Sequence, residues 1–364
     1  MNRSSFLCRC AAVSLGAWFL EGCGGSGGSD TPNFRYSVDE IVTLPFIADM
    51  VARNRQGYSI GSSSAADFGT GYEGFLVSPE GAFIRVPNLQ DVKTARFSAI
   101  NNTGKAVGSG SYSSGVNQPF VHDIPTGVTT PITALNSPRS INDANEVLGV
   151  ELRNTSGPGP AYSGGLITNL ATGATETLPD PEGDTYFTGT KINNSGLVVG
   201  GLGSPLASEG VLALYDLNTR TLRTIPAGIY PGTWALFVSD SGKITGVDFE
   251  LSYDPEKRSR VFLFDSASGG KTYLPELPQV AGGAVSFPLN ASGDGAIGTS
   301  YGGFVYRQGR IQEINSTLSA DDQKTWKIWQ TYAIDDSGII YAVGDLKGDT
   351  TAPTTTSLLR LTPQ

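Results

Sequence analysis

Beyond position 23 the chain has no cysteine; its three, Cys8, Cys10 and Cys23, sit together at the start. That excludes a disulfide framework for the rest of the 364 residues. Histidine is reduced to His122, which cannot build a His-based metal cluster alone and, on an apparent strand, reads as half-exposed. Charged residues make up 16% and the formal net charge is -9, or about -10 once Arg3, Arg9 and Glu21 leave with residues 1–22. With no stripe of Lys and Arg to neutralise phosphates, nucleic acid is excluded as an expected partner. Methionine occurs twice, and long amphipathic helices are nearly absent. The apolar run from Cys10 to Leu20 is too short to span a bilayer.

Glycine (47), proline (21) and many Thr, Val, Ile and Tyr residues alternating with turn residues are what the chain does have. That composition belongs to short strands. Seven times an Asn, Asp or Ser is followed by two turn-prone residues, a Gly (once Asn), a short apolar run and a second Gly. The copies begin at Asn54, Asn101, Asn142, Asn193, Ser239, Asn290 and Asp335, separated by 47, 41, 51, 46, 51 and 45 residues. A period in this range marks a repeat architecture and favours one large domain over two. Each copy reads as strand, tight turn, strand, long connection, strand, turn and strand, the content of one propeller blade.

Within the turn, the Asn side chain accepts a backbone N–H, while the glycine takes the positive φ of a short hairpin. The turn set is therefore Asn54 with Gly57, Asn101 with Gly104, Asn142 with Asn145, Asn193 with Gly196, Ser239 with Gly242, Asn290 with Gly293 and Asp335 with Gly338. Asn145 fits because Asn tolerates the left-handed region next best. Copies six and seven carry extra residues (Asp294-Gly295 and Ile339-Ile340-Tyr341), expected to form bulges. The residue before the Asn is apolar in every copy except at Arg53, and is expected to pack between blades.

Seven third strands are countable but only six fourth strands, because no fourth strand follows Ser357–Leu361 before Gln364. Tyr36 to Leu44 is the candidate to fill the gap. Threading it into the last blade removes an exposed edge, so the expected fold is an all-β, seven-bladed propeller over residues 35–364, closed by its N-terminal strand. Between blades six and seven, Ser319 with Asp322 three residues later resembles a capped short helix.

The turn sequence, as in Ile192-Asn193-Asn194-Ser195-Gly196-Leu197-Val198-Val199-Gly200, resembles the HAF-type family of bacterial extracellular repeats. The stretch from Ile314-Asn315-Ser316-Thr317-Leu318 through Trp326 to Leu359-Arg360-Leu361-Thr362-Pro363 is similar to that family's last repeat. The likeness covers roughly residues 45–364, with the His-Ala-Phe signature degenerate, as in Gly74-Phe75, Pro119-Phe120, Val261-Phe262 and Gly303-Phe304. It implies a secreted or surface protein with propeller-like repeats and no defined activity. At the other end, residues 1–22 read as a signal peptide, and Leu20-Glu21-Gly22-Cys23 resembles the lipobox of bacterial lipoproteins, with Glu21 departing from it. By that resemblance Cys23 is lipidated and residues 23–34 form a flexible tether, with Gly24 permitting transfer to the outer membrane.

No residue set carries coherent chemistry. Gly298-Thr299-Ser300-Tyr301-Gly302 matches the serine-hydrolase pentapeptide but joins two strands rather than a strand and a helix. Gly269-Gly270-Lys271-Thr272 ends like a phosphate loop but sits in a hairpin. The acidic clusters Asp180-Pro181-Glu182-Gly183-Asp184 and Asp335-Asp336 lack ordered ligand spacing and read as solvated loops rather than Ca²⁺ sites. No cofactor, metal or catalytic residue is therefore assigned. Recognition is expected on the face of the long connections (62–73, 109–118, 151–163, 248–259 and 345–356), where the copies disagree. Candidate ligand-facing residues are Arg96 and Arg139, near the channel, and Tyr186, Tyr230, Trp234 and Trp326. The leading reading is a lipid-anchored, non-enzymatic envelope propeller binding protein or polysaccharide. The alternatives are an enzyme acting on a polysaccharide or ester and a periplasmic scaffold.

Overall fold

The computed structural model describes residues 34–364 apart from 64–72, 87–91, 113–116, 154–161, 181–185, 204–210, 227–231, 250–258, 276, 278–283, 300–301 and 348–354. Cys23 with its tether, Tyr230, Ser300 and part of each long connection lie outside the described residues.

Seven four-stranded antiparallel sheets follow one another as the blades of a propeller. Their inner strands are Ala48–Arg53, Val92–Ile100, Ser137–Ile141, Tyr186–Ile192, Gly232–Val238, Ala284–Ser286 and Trp326–Ile334. Six sheets are built from consecutive strands. The seventh is completed by Tyr36–Leu44, which pairs antiparallel with Thr356–Pro363 from Tyr36↔Pro363 to Leu44↔Thr356. The ring thus closes through strands from opposite ends of the chain, as the strand count requires.

Closure is secured on both faces of the joint. Tyr36 and Leu44 are fully buried, packed with Trp326, Leu359 and Leu361 on one side and with Phe46, Val343 and Leu358 on the other. Burying side chains of this size is worth roughly 2–3 kcal/mol each. The short helix Asp322–Thr325 also joins in, because Asp322 Oδ2 accepts Val38 N–H at 3.3 Å; its N-cap is Asp321 rather than the expected Ser319, whose Oγ accepts Asp322 N–H at 3.1 Å from the turn before it.

Both glycines of the repeat have a physical cause. The first turns the hairpin with positive φ, as at Gly104 (+84°) and Gly196 (+80°), and Asn145 takes the same conformation at +60°. The second permits close approach: a Cβ at Gly108 would stand 2.1 Å from the Arg96 carbonyl oxygen and 2.8 Å from the Phe120 ring. Gly108 faces Phe120 across the sheet, as Gly61 faces Phe75 and Gly246 faces Phe262. The phenylalanine of the degenerate signature therefore lies over a glycine in blades one, two and five.

Two expectations are corrected. The extra residues of copies six and seven do not produce bulges in the second strands, which pair in unbroken register. Register breaks fall in the inner strands instead, spanning Val51, Ser98, Arg139, Thr190 and Leu236, each three residues before its turn residue. His122 is not half-exposed: it is 3% exposed, with Nδ1 2.8 Å from Thr129 Oγ1.

Candidate functional site around the central channel

At the tight-turn end, the turns of neighbouring blades are joined through their asparagines. Asn54 Nδ2 donates to Asn101 O (3.0 Å), Asn101 to Asn142 O (2.9 Å), Asn142 to Asn193 O (3.4 Å), Asn193 to Ser239 O (2.7 Å) and Asn290 to Asp335 O (3.1 Å). The same side chains' Oδ1 atoms accept the N–H four residues on, from Tyr58, Lys105, Glu146, Leu197 and Asp294. One amide closes its own hairpin and also holds the next blade.

The following residue makes a parallel ring. Arg55 N–H donates to Asn102 Oδ1, Asn102 N–H to Asp143 Oδ1, Asp143 N–H to Asn194 Oδ1, Asn194 N–H to Asp240 Oδ1 and Ala291 N–H to Asp336 Oδ1, all within 2.7–3.0 Å. Both rings stop at the same two seams. Between blades five and six, Ser239 has no amide donor and Ala291 no acceptor; between seven and one, Asp335 and Arg55 leave the same gaps. Other groups tie these seams, with Thr245 Oγ1 donating to Phe287 O (2.8 Å) and Thr356 Oγ1 accepting Ala48 N–H (3.0 Å). Arg53, the exception among the apolar pre-turn residues, lies 4.1 Å over the Tyr341 ring of blade seven.

Inside the turns lies a central cavity of about 880 Å³ lined by inner strands of all seven blades. Its wall includes Ser98, Ser140, Lys191, Ser286 and Gln330. Lys191 is half-buried, and desolvation pushes its ammonium below the usual lysine value; Arg139 on the adjacent strand is shifted down for the same reason.

On the opposite half, the sheet register defines another set. The residue paired one step beyond each second glycine is Asp49, Arg96, Ser137, Thr188, Trp234 and Lys327 in blades one to five and seven. Their inner-strand neighbours, such as Met50 and Phe97, are buried, so the alternation of a strand turns this set to the opposite face. Asp49, Arg96 and Lys327 are exposed, and Trp234 is 65% exposed, the largest value among the large apolar side chains of the described residues.

The sequence-derived candidates separate on these grounds. Arg96 and Trp234 share this register position; Tyr186 and Arg139 are half-buried on inner strands four and three. Trp326 is corrected: at 7% exposure it packs with Phe34, Tyr36 and Ile328, so it fills the joint between blades six and seven. Asp335 and Asp336 hold turn amides, Asp335 Oδ1 accepting from Ser337 and Ile339 and Asp336 Oδ1 from Ala291. Lys271, in the phosphate-loop lookalike, bonds buried Asp248 at 3.1 Å and lies over Phe262, while Tyr273 OH donates to the same carboxylate. That cluster went unread in the sequence because Asp248 and Lys271 are 23 residues apart.

No family model matches the chain, and no curated protein matches it in sequence. Solved propellers do match in shape. The β-propeller domain of the Trilobed protease from Pyrococcus furiosus, which has an open velcro topology, aligns with a TM-score of 0.57 at 13% identity, over 87% of this chain and 94% of that one. An oligogalacturonate lyase from Vibrio parahaemolyticus aligns with a TM-score of 0.54 at 10% identity, over 90% and 97%. A prolyl endopeptidase aligns with a TM-score of 0.51 at 11% identity, over 85% of this chain but 46% of its own length. At these identities the likeness shows the fold alone, a β-propeller.

Proposed function

We propose that the chain is a lipid-anchored envelope propeller that binds a polysaccharide, without catalysis, at the channel mouth bordered by its long connections. The observation that carries this reading is the register set Asp49, Arg96, Trp234 and Lys327: an exposed indole and exposed charged groups of both signs at one equivalent position of their inner strands. An aromatic face offers a sugar ring apolar contact, and flanking ionic groups hydrogen-bond its hydroxyls. The connections vary in sequence and length between copies, which is where selectivity would be written. Anchoring rests on the resemblance of the segment ending in Cys23 to a lipobox and on the Gly/Ser tether after it.

The test is binding to a panel of envelope and extracellular glycans, comparing wild type with Trp234→Ala, Arg96→Ala and versions shortened within 154–161 or 250–258. Trp234→Ala is expected to weaken binding at least tenfold; unchanged binding in all variants rejects the assignment. Cys23→Ser is expected to release the protein from membranes, and undiminished membrane association rejects the anchor.

A further inference from the structure

The tight-turn end of the channel holds a cation that neither the fold nor the proposed glycan mouth uses. Lys191 stands two residues before Asn193, where the other blades place Ala52, Ala99, Ser140, Phe237, Pro288 and Ala333. Only blade four puts a charge there. Lys191 lines the 880 Å³ cavity, and its side chain makes no hydrogen bond or ion pair among the described residues. Polar side chains that share the cavity lining are already engaged. Ser140 Oγ accepts Ile192 N–H, Asp143 holds both donors of Asn102, and Asp240 holds Asn194 and lies 3.7 Å from Arg55. Withdrawing an ammonium from water without a partner is unfavourable, and the depressed pKa of Lys191 reflects that. An anion delivered by a ligand would restore the charged form.

The rim limits which anion fits. It carries Asp143, Asp240 and Asp336, against Arg55 as the cation among the corresponding turn residues. A multiply charged anion meets repulsion there, whereas a single carboxylate passes one acidic rim to reach one lysine. Carboxylates already bonded to amides retain lone pairs for ligand hydroxyls. We propose that this end of the channel is a second binding site, for a small hydroxylated monocarboxylate such as a sugar acid, with Lys191 holding the carboxylate.

The site is tested by calorimetric titration of the purified protein with D-glucuronate, D-glucose and sulfate, using wild type, Lys191→Met and, as a control at an exposed lysine outside both channel ends, Lys324→Met. Glucuronate is expected to bind wild type and Lys324→Met alike and to bind Lys191→Met at least tenfold more weakly. Glucose, which differs by the missing carboxylate, is expected to bind at least tenfold more weakly to wild type, and sulfate likewise. Thermal unfolding of Lys191→Met confirms that the variant is folded; if it is not, Lys191→Gln replaces it. Equal binding to the Lys191 variants, equal binding of glucose, or no glucuronate binding to wild type overturns the proposal. Loss of binding in Lys324→Met alone would place the ligand outside the channel and also overturn it. None of these outcomes depends on Trp234, so the glycan assignment stands or falls separately.

Discussion

Asn101 donates its side-chain N–H to the backbone carbonyl of Asn142, 41 residues on and one blade over, at 2.9 Å. Its Oδ1 meanwhile accepts Lys105 N–H at 2.8 Å within its own hairpin. The two halves of the amide do separable jobs, and substitutions can remove one at a time. Asn101→Asp keeps the acceptor and deletes the interblade donor, for an expected loss of about 1 kcal/mol; Asn101→Ala deletes both, for about 2–3 kcal/mol. Denaturant midpoints at constant slope measure the difference. No loss in Asn101→Asp would mean that the link between blades carries nothing, and equal losses would mean that the acceptor within the hairpin carries nothing.

The broken seam between blades five and six offers the reverse experiment. Ser239 already accepts Lys243 N–H at 3.0 Å through its hydroxyl, as the asparagines do through Oδ1. Ser239→Asn is expected to add the missing donor toward the Asn290 carbonyl and to stabilise by about 0.5–1.5 kcal/mol. The melting temperature should rise, and a fall would show that the turn of blade six is held elsewhere.

Tyr36 is fully buried in the closing strand, and its hydroxyl has no hydrogen-bond partner among the described residues. Tyr36→Phe should therefore be neutral or stabilising, since it removes a buried polar group with no compensation to lose. Tyr36→Ala should cost about 3–5 kcal/mol through the cavity it leaves. Similar losses for both would reveal a partner for the hydroxyl.

Burial depresses the His122 pKa below its ordinary value near 6.5, only partly opposed by the charge of Asp123. The folded state thus favours neutral imidazole. That contribution is fully present above about pH 6.5 and is lost as pH falls from there through the folded value, where the unfolded chain binds the proton more readily. Stability measured at about pH 7.5 and 5.5 should fall less in His122→Gln than in wild type. An identical fall in both would assign the effect to other groups.

The buried Asp248–Lys271 pair predicts a third kind of response, because each ion is nearly excluded from solvent, at 0% and 9% side-chain exposure. Asp248→Ala should cost about 3–5 kcal/mol by stranding the ammonium, and adding Lys271→Met should recover much of it. A double-mutant cycle in urea reads the coupling directly; additive losses would mean that the two ions do not depend on each other.

Much of the architecture was legible because each blade repeats one local solution, an Asx acceptor and a positive-φ residue closing a hairpin. The closing strand Tyr36–Leu44 was legible from a shortage, six fourth strands for seven blades. What escaped was non-local. The hairpin alone explains each Asn through Oδ1, so nothing in sequence called for its amide to reach the next blade. His122 alternates like a surface residue, yet neighbouring structure covers it. Arg96 and Trp234 were each noticed, but their equivalence emerges only from the register against Ser109 and Val247. Lys191 gave no signal, because a single lysine in a strand acquires meaning only once the other six inner strands are beside it.

Pairing Tyr36 with Pro363 also imposes an order on events. The first strand of the propeller to leave the ribosome is the last to find its sheet, since its partner lies 327 residues later. Until then Tyr36 and Leu44 have no core to enter and the ring is an open arc with two bare edges. Whatever order the other six blades form in, the seventh is completed only after the segment ending in Pro363 has been made, so closure of the ring is the step on which all its bare edges depend.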